Sequence, residues 1–242
     1  MINILIPLAG KNQFFPAIEF PFPKPLIEFN GRTMIEHIID NFSSIEGDKR
    51  FIFIVNSRDC EKYHLDNVLN ILTENKSIII RLNNDTKGAA CSAMMASEFI
   101  DNNIPLIISN ADQLFDVNLQ DIISSFENSD CGVITFESIH PRWSYVRLDE
   151  NRHVVETAEK RPISKAAIAG FYYFKQGSDF ISAASRMIKK DANVDGVYYI
   201  APCLNEMVLN NKTINIFSIE NDAYHTFYTP QKIKEYENLM SH

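Results

Sequence analysis

Positive charge is in short supply along this 242-residue chain, where 23 lysines and arginines face 31 aspartates and glutamates for a net charge of −8. Proteins that hold nucleic acid or an anionic membrane draw much of their affinity from a basic patch, so neither partner is expected. Nucleotides remain open, because a few local cations and backbone N–H groups suffice for them. Cysteine is also sparse. Cys60, Cys91, Cys131 and Cys203 lie far apart, without a CxxC or a Cys/His ligand spacing. They read as buried small apolar residues in a reducing compartment, in preference to a disulfide framework or a zinc site. No apolar run approaches the roughly 18 residues of a membrane-crossing helix, and no basic region leads the short apolar N-terminus. A cytoplasmic protein is expected. There is no internal repeat, low-complexity tract or Gly/Ser-rich linker, and 45% of residues are apolar, so one domain covering 1–242 is expected.

Apolar, β-branched runs recur at residues 2–8, 51–55, 78–81, 106–109, 132–136, 145–148, 167–174 and 214–219. Helical spacing fills 34–42, 60–72, 89–100 and 119–126 between the early ones. Strand and helix alternating in this way predict an α/β fold: a Rossmann-like, mostly parallel central sheet flanked by helices, with ligands at the strands' carboxyl ends. After Phe136 the strands crowd together, predicting a small antiparallel extension. Helices are predicted again over 180–190, 199–209 and 230–240.

The first thirty residues carry the strongest functional signal. The strand ends in Leu8-Ala9-Gly10-Lys11, and a turn there can aim N–H groups at an anion. Lys24 follows between Pro23 and Pro25, which fix φ and remove backbone donors, so this lysine is well positioned for a loop residue. The run Pro23-Lys24-Pro25-Leu26, followed by Asn30-Gly31-Arg32-Thr33-Met34-Ile35, resembles the sugar nucleotidyltransferases, the NDP-sugar pyrophosphorylases. Asp112, Glu159-Lys160 and Thr229-Pro230 extend the resemblance over nearly the whole chain. It implies the nucleotide-diphospho-sugar transferase (GT-A-like) fold. It also implies transfer of a nucleotidyl group from an NTP to a phosphorylated acceptor, such as a sugar 1-phosphate, for surface-polysaccharide or capsule precursors.

Roles follow residue by residue. The resemblance makes Lys24 a catalytic contact to the nucleotide phosphates, with Leu8, Ala9, Gly10 and Lys11 cradling them and Lys87-Gly88 at the nucleobase. Asp112 stands just beyond a buried strand and corresponds to the family's metal-binding aspartate, where Mg²⁺ takes one or two carboxylates plus phosphate oxygens. Trp143, Glu159, Lys160 and Gly170 would line the acceptor side. Each has a plainer reading: a solvated lysine, a helix cap, a hairpin ion pair, a packed indole. The chain also departs from the family pattern. Asn12 and Phe14 replace a glycine and an arginine of the glycine-rich loop, Thr226 stands where a second carboxylate is usual, and Val197 replaces an acid. These changes keep two other classes open, a catalytically silent nucleotide-binding homologue and a GT-A glycosyltransferase. The nucleobase and the acceptor are not legible, and a homo-oligomer is left open.

Overall fold

The computed structural model describes residues 1–10, 14–16 and 18–240. Its centre is a nine-stranded sheet. Strand Ile2–Pro7 pairs in parallel with Lys49–Asn56 on one side and Leu106–Ser109 on the other, and Ile78–Leu82 extends the parallel half beyond Lys49–Asn56. Strands buried on both faces read as continuous apolar runs, and Ile4, Leu5 and Ile6 are each fully buried. Their alternation divides the core. Ile4, Ile6, Phe53 and Ile107 pack on the face covered by Met34–Asn41 and Leu119–Ser125. Leu5, Ile52, Ile54 and Ile108 pack on the other, against Phe180, Ala184 and Met187 of helix Gly177–Lys189.

The expected antiparallel extension is present and joins the same sheet. Strand Ala166–Phe174 pairs antiparallel with Leu106–Ser109 through Phe171 to Phe174, and with Cys131–Glu137 along its other edge. Ser144–Leu148 and Val154–Glu159 form a hairpin that meets it at Ala167. Ile214–Ser218 lies parallel to Cys131–Glu137.

Local breaks alter the expected helices. The apolar spacing over 60–72 is continuous, yet the structure holds two helices, Ser57–Tyr63 and Leu65–Leu72, because His64 is left-handed (φ 54°) and closes the first by donating its N–H to Cys60 O. The 89–100 stretch likewise divides into Ala89–Met94 and Ser97–Ile100. The helix expected from 199 begins only at Cys203, after Pro202. The loop before the first helix contains a hairpin of Glu28–Phe29 with Arg32–Thr33, turned by Asn30 (φ 49°) and Gly31 (φ 74°), the two positive φ angles a type I′ turn demands.

Gly170 is the glycine on which the sheet depends. The pairing of Ala166–Phe174 with Cys131–Glu137 slips between Ile168 and Tyr172, and Gly170 sits in that bulge at φ +62°. A Cβ there would stand 2.2 Å from Asn110 Nδ2 and 2.7 Å from Gln113 Oε1. Left-handed strain and overpacking act together in Gly170→Ala, which is expected to destabilise the fold by about 2–4 kcal/mol in urea unfolding.

Candidate functional site

The strand Ile2–Pro7 runs out at the carboxyl edge of the sheet, where Leu8 is buried and donates its N–H to Ile54 O at 2.7 Å. Ala9 is half-buried and Gly10 exposed, with open space where a Cβ would stand. Lys11 and Asn12 lie outside the described residues. Past them Phe14 is exposed, whereas Phe15 is buried and meets Phe20 edge-on.

Lys24 opens a single 3-10 turn, Lys24–Leu26, that follows directly from its proline frame: Leu26 N–H donates to Pro23 O and Ile27 N–H to Lys24 O. The turn is anchored downstream. Met34 N–H donates to Ile27 O, and Thr33 caps the following helix by donating its N–H and hydroxyl to the Glu36 carboxylate, each at 2.6 Å. These hydrogen bonds, the one from the Thr33 hydroxyl foremost, hold the Glu36 carboxyl below its ordinary range. So anchored, Lys24 Nζ lies 2.5 Å from Asp112 Oδ2, with the two side chains 22% and 29% exposed. Lys24 Nζ also stands 5.3 Å from the centroid of the Phe15 ring.

Asp112 is held through its neighbours. Asn110 N–H donates to Gly170 O at 3.0 Å, and the buried Gln113 donates its Nε2 to the same carbonyl at 2.9 Å. On the other side, Phe227 N–H donates to Asp112 O at 2.7 Å, where the short strand Tyr224–Thr226 pairs antiparallel with Gln113–Phe115. Thr226 therefore stands opposite Gln113, beside Asp112. Asp222 does not compensate for the missing carboxylate. It lies in the 3-10 turn Asn221–Ala223, where Ala223 O accepts from Asp116 N–H, at the opposite end of the short strand pair from the Phe227–Asp112 bond. Among the described residues no group of three acids, histidines or cysteines is arranged to hold a metal. Asp112 alone fits Mg²⁺ only as one ligand to an ion whose remaining ligands are phosphate oxygens and water.

The C-terminal segment links Asp112 to Arg142, Trp143 and Lys160. Tyr228 meets Phe14 edge-on, with ring centroids 6.4 Å apart, and its hydroxyl accepts a hydrogen bond from Arg142 Nη1. The Arg142 guanidinium lies 3.7 Å from the Tyr228 centroid and 5.3 Å from that of Trp143. Trp143 O accepts from Lys160 N–H at 3.0 Å, and Lys160 Nζ stands 5.0 Å from the Tyr199 ring. Next along the chain, Tyr198 N–H donates to Lys87 O, and a Cβ on Gly88 would stand 2.4 Å from Tyr198 O. Direct contacts thus trace a path from Lys24 to Gly88. Lys24, Asp112, Trp143, Lys160, Lys87 and Gly88 lie along it, with Glu159 adjacent. Gly170 stands behind Asp112, its carbonyl engaged by Asn110 and Gln113. Tyr228 is thus the partner of Arg142. No sequence signal joins those two residues.

A profile of the family described as nucleotidyl transferase matches residues 16–206. The chain belongs to that family. Similar proteins include the bifunctional protein GlmU of Methanococcus aeolicus, 24% identical over 178 residues that cover 72% of this chain and 40% of that protein. The chain therefore spans less than half the length of such relatives. The UTP–glucose-1-phosphate uridylyltransferase AglF of Haloferax volcanii is 20% identical, with 88% of this chain and 86% of that one covered. Among solved structures, the nucleoside-diphosphate-sugar pyrophosphorylase of Vibrio cholerae RC9 superposes with a TM-score of 0.85 at 23% identity, covering 97% of this chain and 99% of that one. The inositol-1-phosphate CTP transferase of T. maritima gives 0.76 at 15% identity, over 100% and 95%. The sheet architecture expected from the sequence is thus that of nucleotide-sugar transferases.

Glu159 is a poorly solvated acid. Burial pushes its carboxyl above the ordinary range, against a hydrogen bond from the Ser144 hydroxyl and the charge of Lys160. The folded state therefore favours the protonated form. Stability from this group is complete below the ordinary Glu range and is lost as pH rises through the raised value. Gln mimics the neutral acid. Glu159→Gln is expected to raise the Tm by about 2–4 °C at pH 8 and to leave it unchanged at pH 4, measured by calorimetry.

Proposed function

We propose that the protein joins an NTP to a phosphorylated acceptor, a sugar 1-phosphate, releasing pyrophosphate and an NDP-activated product for surface-polysaccharide or capsule precursors. The single observation carrying this reading is the Lys24–Asp112 pair at the carboxyl edge of the sheet, a cation and an anion set where a phosphate chain would lie. An oxygen of the acceptor phosphate attacks the α-phosphorus of the NTP and the bond from that phosphorus to the β-phosphate bridge oxygen breaks. The electron pair leaves with pyrophosphate, so no covalent enzyme intermediate is needed. Lys24 Nζ neutralises charge building on the transferring phosphoryl oxygens. Leu8, Ala9, Gly10 and Lys11 border the phosphates, Lys87 and Gly88 the nucleobase. Trp143, Glu159 and Lys160 border the acceptor, and Gly170 fixes the loop bearing Asp112. Asp112 would hold a Mg²⁺ ion carried by the nucleotide, and that ion would add further charge neutralisation. Most of the rate enhancement then comes from positioning and electrostatics.

The four cysteines are unpaired and no helix among the described residues is long and apolar enough to cross a membrane. Both features suit the cytoplasm, where NTPs are available. A second reading, a silent nucleotide-binding homologue, is favoured by one observation: among the described residues no group of three acidic, histidine or cysteine side chains gathers at Asp112 to hold a metal.

The test is pyrophosphate release with CTP, UTP, GTP, ATP and dTTP against a panel of sugar 1-phosphates and small phosphomonoesters. Turnover with one pair is expected, falling about 10²–10³-fold in Lys24→Ala and in Asp112→Asn. No release with any pair, alongside retained nucleotide binding, supports the silent reading instead.

A further inference from the structure

The cations around this site are not equally free to meet a ligand. Lys24 is engaged by Asp112 at 2.5 Å, Arg161 by Glu156 at 3.1 Å and Lys165 by Glu137 at 3.0 Å. Lys160 lies against Tyr199. Arg142 differs. Its neighbours are two ring faces and a phenol oxygen, and among the described residues no carboxylate pairs with it. The side chain is nonetheless exposed.

Its backbone is fixed as well. Trp143 N–H donates to His140 O and Arg142 N–H to His140 Nδ1 at 3.2 Å, while the Tyr145 hydroxyl holds His140 O at 2.6 Å. The guanidinium is therefore immobilised before any ligand arrives, with Nη1 spent on Tyr228 and its remaining N–H groups available. Stacking of this kind orients the planar fork that grips phosphate at two points, at little further entropic cost. The position is also close to the ion pair. Tyr228 follows Phe227, whose N–H is bound to Asp112 O. The charges of Asp112 and Arg142 both reach the buried Tyr224 phenol: burial, then Asp112, push it up, and Arg142 pulls against them.

We propose that Arg142 is a phosphate-binding residue of this site, held ready by Trp143 and Tyr228 to take a phosphate group of the substrate in a two-point grip. The assignment of that phosphate to a nucleotidyl-transfer substrate rests on the function proposed above; the capacity to bind phosphate does not. The group belongs either to the nucleotide's polyphosphate or to the acceptor's monoester, which share the same oxyanion chemistry. Tyr228 acts through Arg142 and is a positioning residue.

Calorimetric titration of the full chain separates the two sources, using tripolyphosphate for the nucleotide end and glucose 1-phosphate for the acceptor end. Arg142→Ala is expected to weaken one probe at least about tenfold and leave the other within about twofold, naming the source. Arg142→Lys should recover only part of the loss, because a point charge neither stacks nor forks. Tyr228→Phe, which keeps the ring and removes the hydroxyl, should cost about threefold. Arg142→Gln, which keeps length and planarity, guards against a folding defect, its thermal melt being compared with wild type. The proposal is overturned if neither probe binds the wild type, if both bind Arg142→Ala and Arg142→Gln within twofold of it, or if Arg142→Lys restores full affinity. Tripolyphosphate transfers no nucleotidyl group, so a failed turnover panel with the Arg142 effect intact rejects the transfer reading and leaves this one standing.

Discussion

The ion pair between Lys24 and Asp112 is the constraint around which this site is arranged. Its partners are 88 residues apart in sequence and come from different parts of the fold, a proline-framed turn and the end of a buried strand. At 22% and 29% exposure the pair lies between two regimes. It is too sheltered to count as a surface contact of negligible worth and too open to carry the full cost of burial. Each charge thus has a partner that a ligand must replace; on the function proposed above, phosphate oxygens would take Lys24 and a cation would take Asp112. The pair itself carries no net charge.

That pair stays in place because the backbone beneath it is tied from several directions. The bulge at Gly170 presents one carbonyl to both Asn110 and Gln113, on either side of Asp112. The C-terminal segment then closes over the loop through Phe227 N–H. The same segment carries Tyr228 outward to Arg142, so one short stretch of chain connects the Lys24–Asp112 pair to the Arg142–Trp143 loop. Phe227 itself is fully buried against Phe29 and Tyr236, which fixes that stretch to the hairpin following Lys24.

Much of this was legible in the sequence. Buried parallel strands announce themselves as unbroken apolar runs, and the proline frame of Lys24 and the strand-end position of Asp112 are local features. What escaped was either short or distant. Three-residue strands such as Gln113–Phe115 and Tyr224–Thr226 are too brief for an alternating pattern to register, so the link from Thr226 to the Asp112 loop was not visible. The break at His64 was hidden because the apolar spacing continues through it, although Asn30-Gly31 did carry the dipeptide signature of its hairpin turn. Arg142 and Tyr228, 86 residues apart, meet only through the tertiary fold. Nothing in the sequence around either one points to the other.

The sharpest measurement is the affinity of Asp112→Asn for the NTP the protein prefers, titrated without divalent metal and compared with wild type. If the nucleotide must take Lys24 from Asp112, neutralising the aspartate frees the lysine and removes a repulsive charge, and metal-free binding tightens by roughly tenfold. Equal or weaker binding by Asp112→Asn would contradict the claim that this ion pair is the phosphate site.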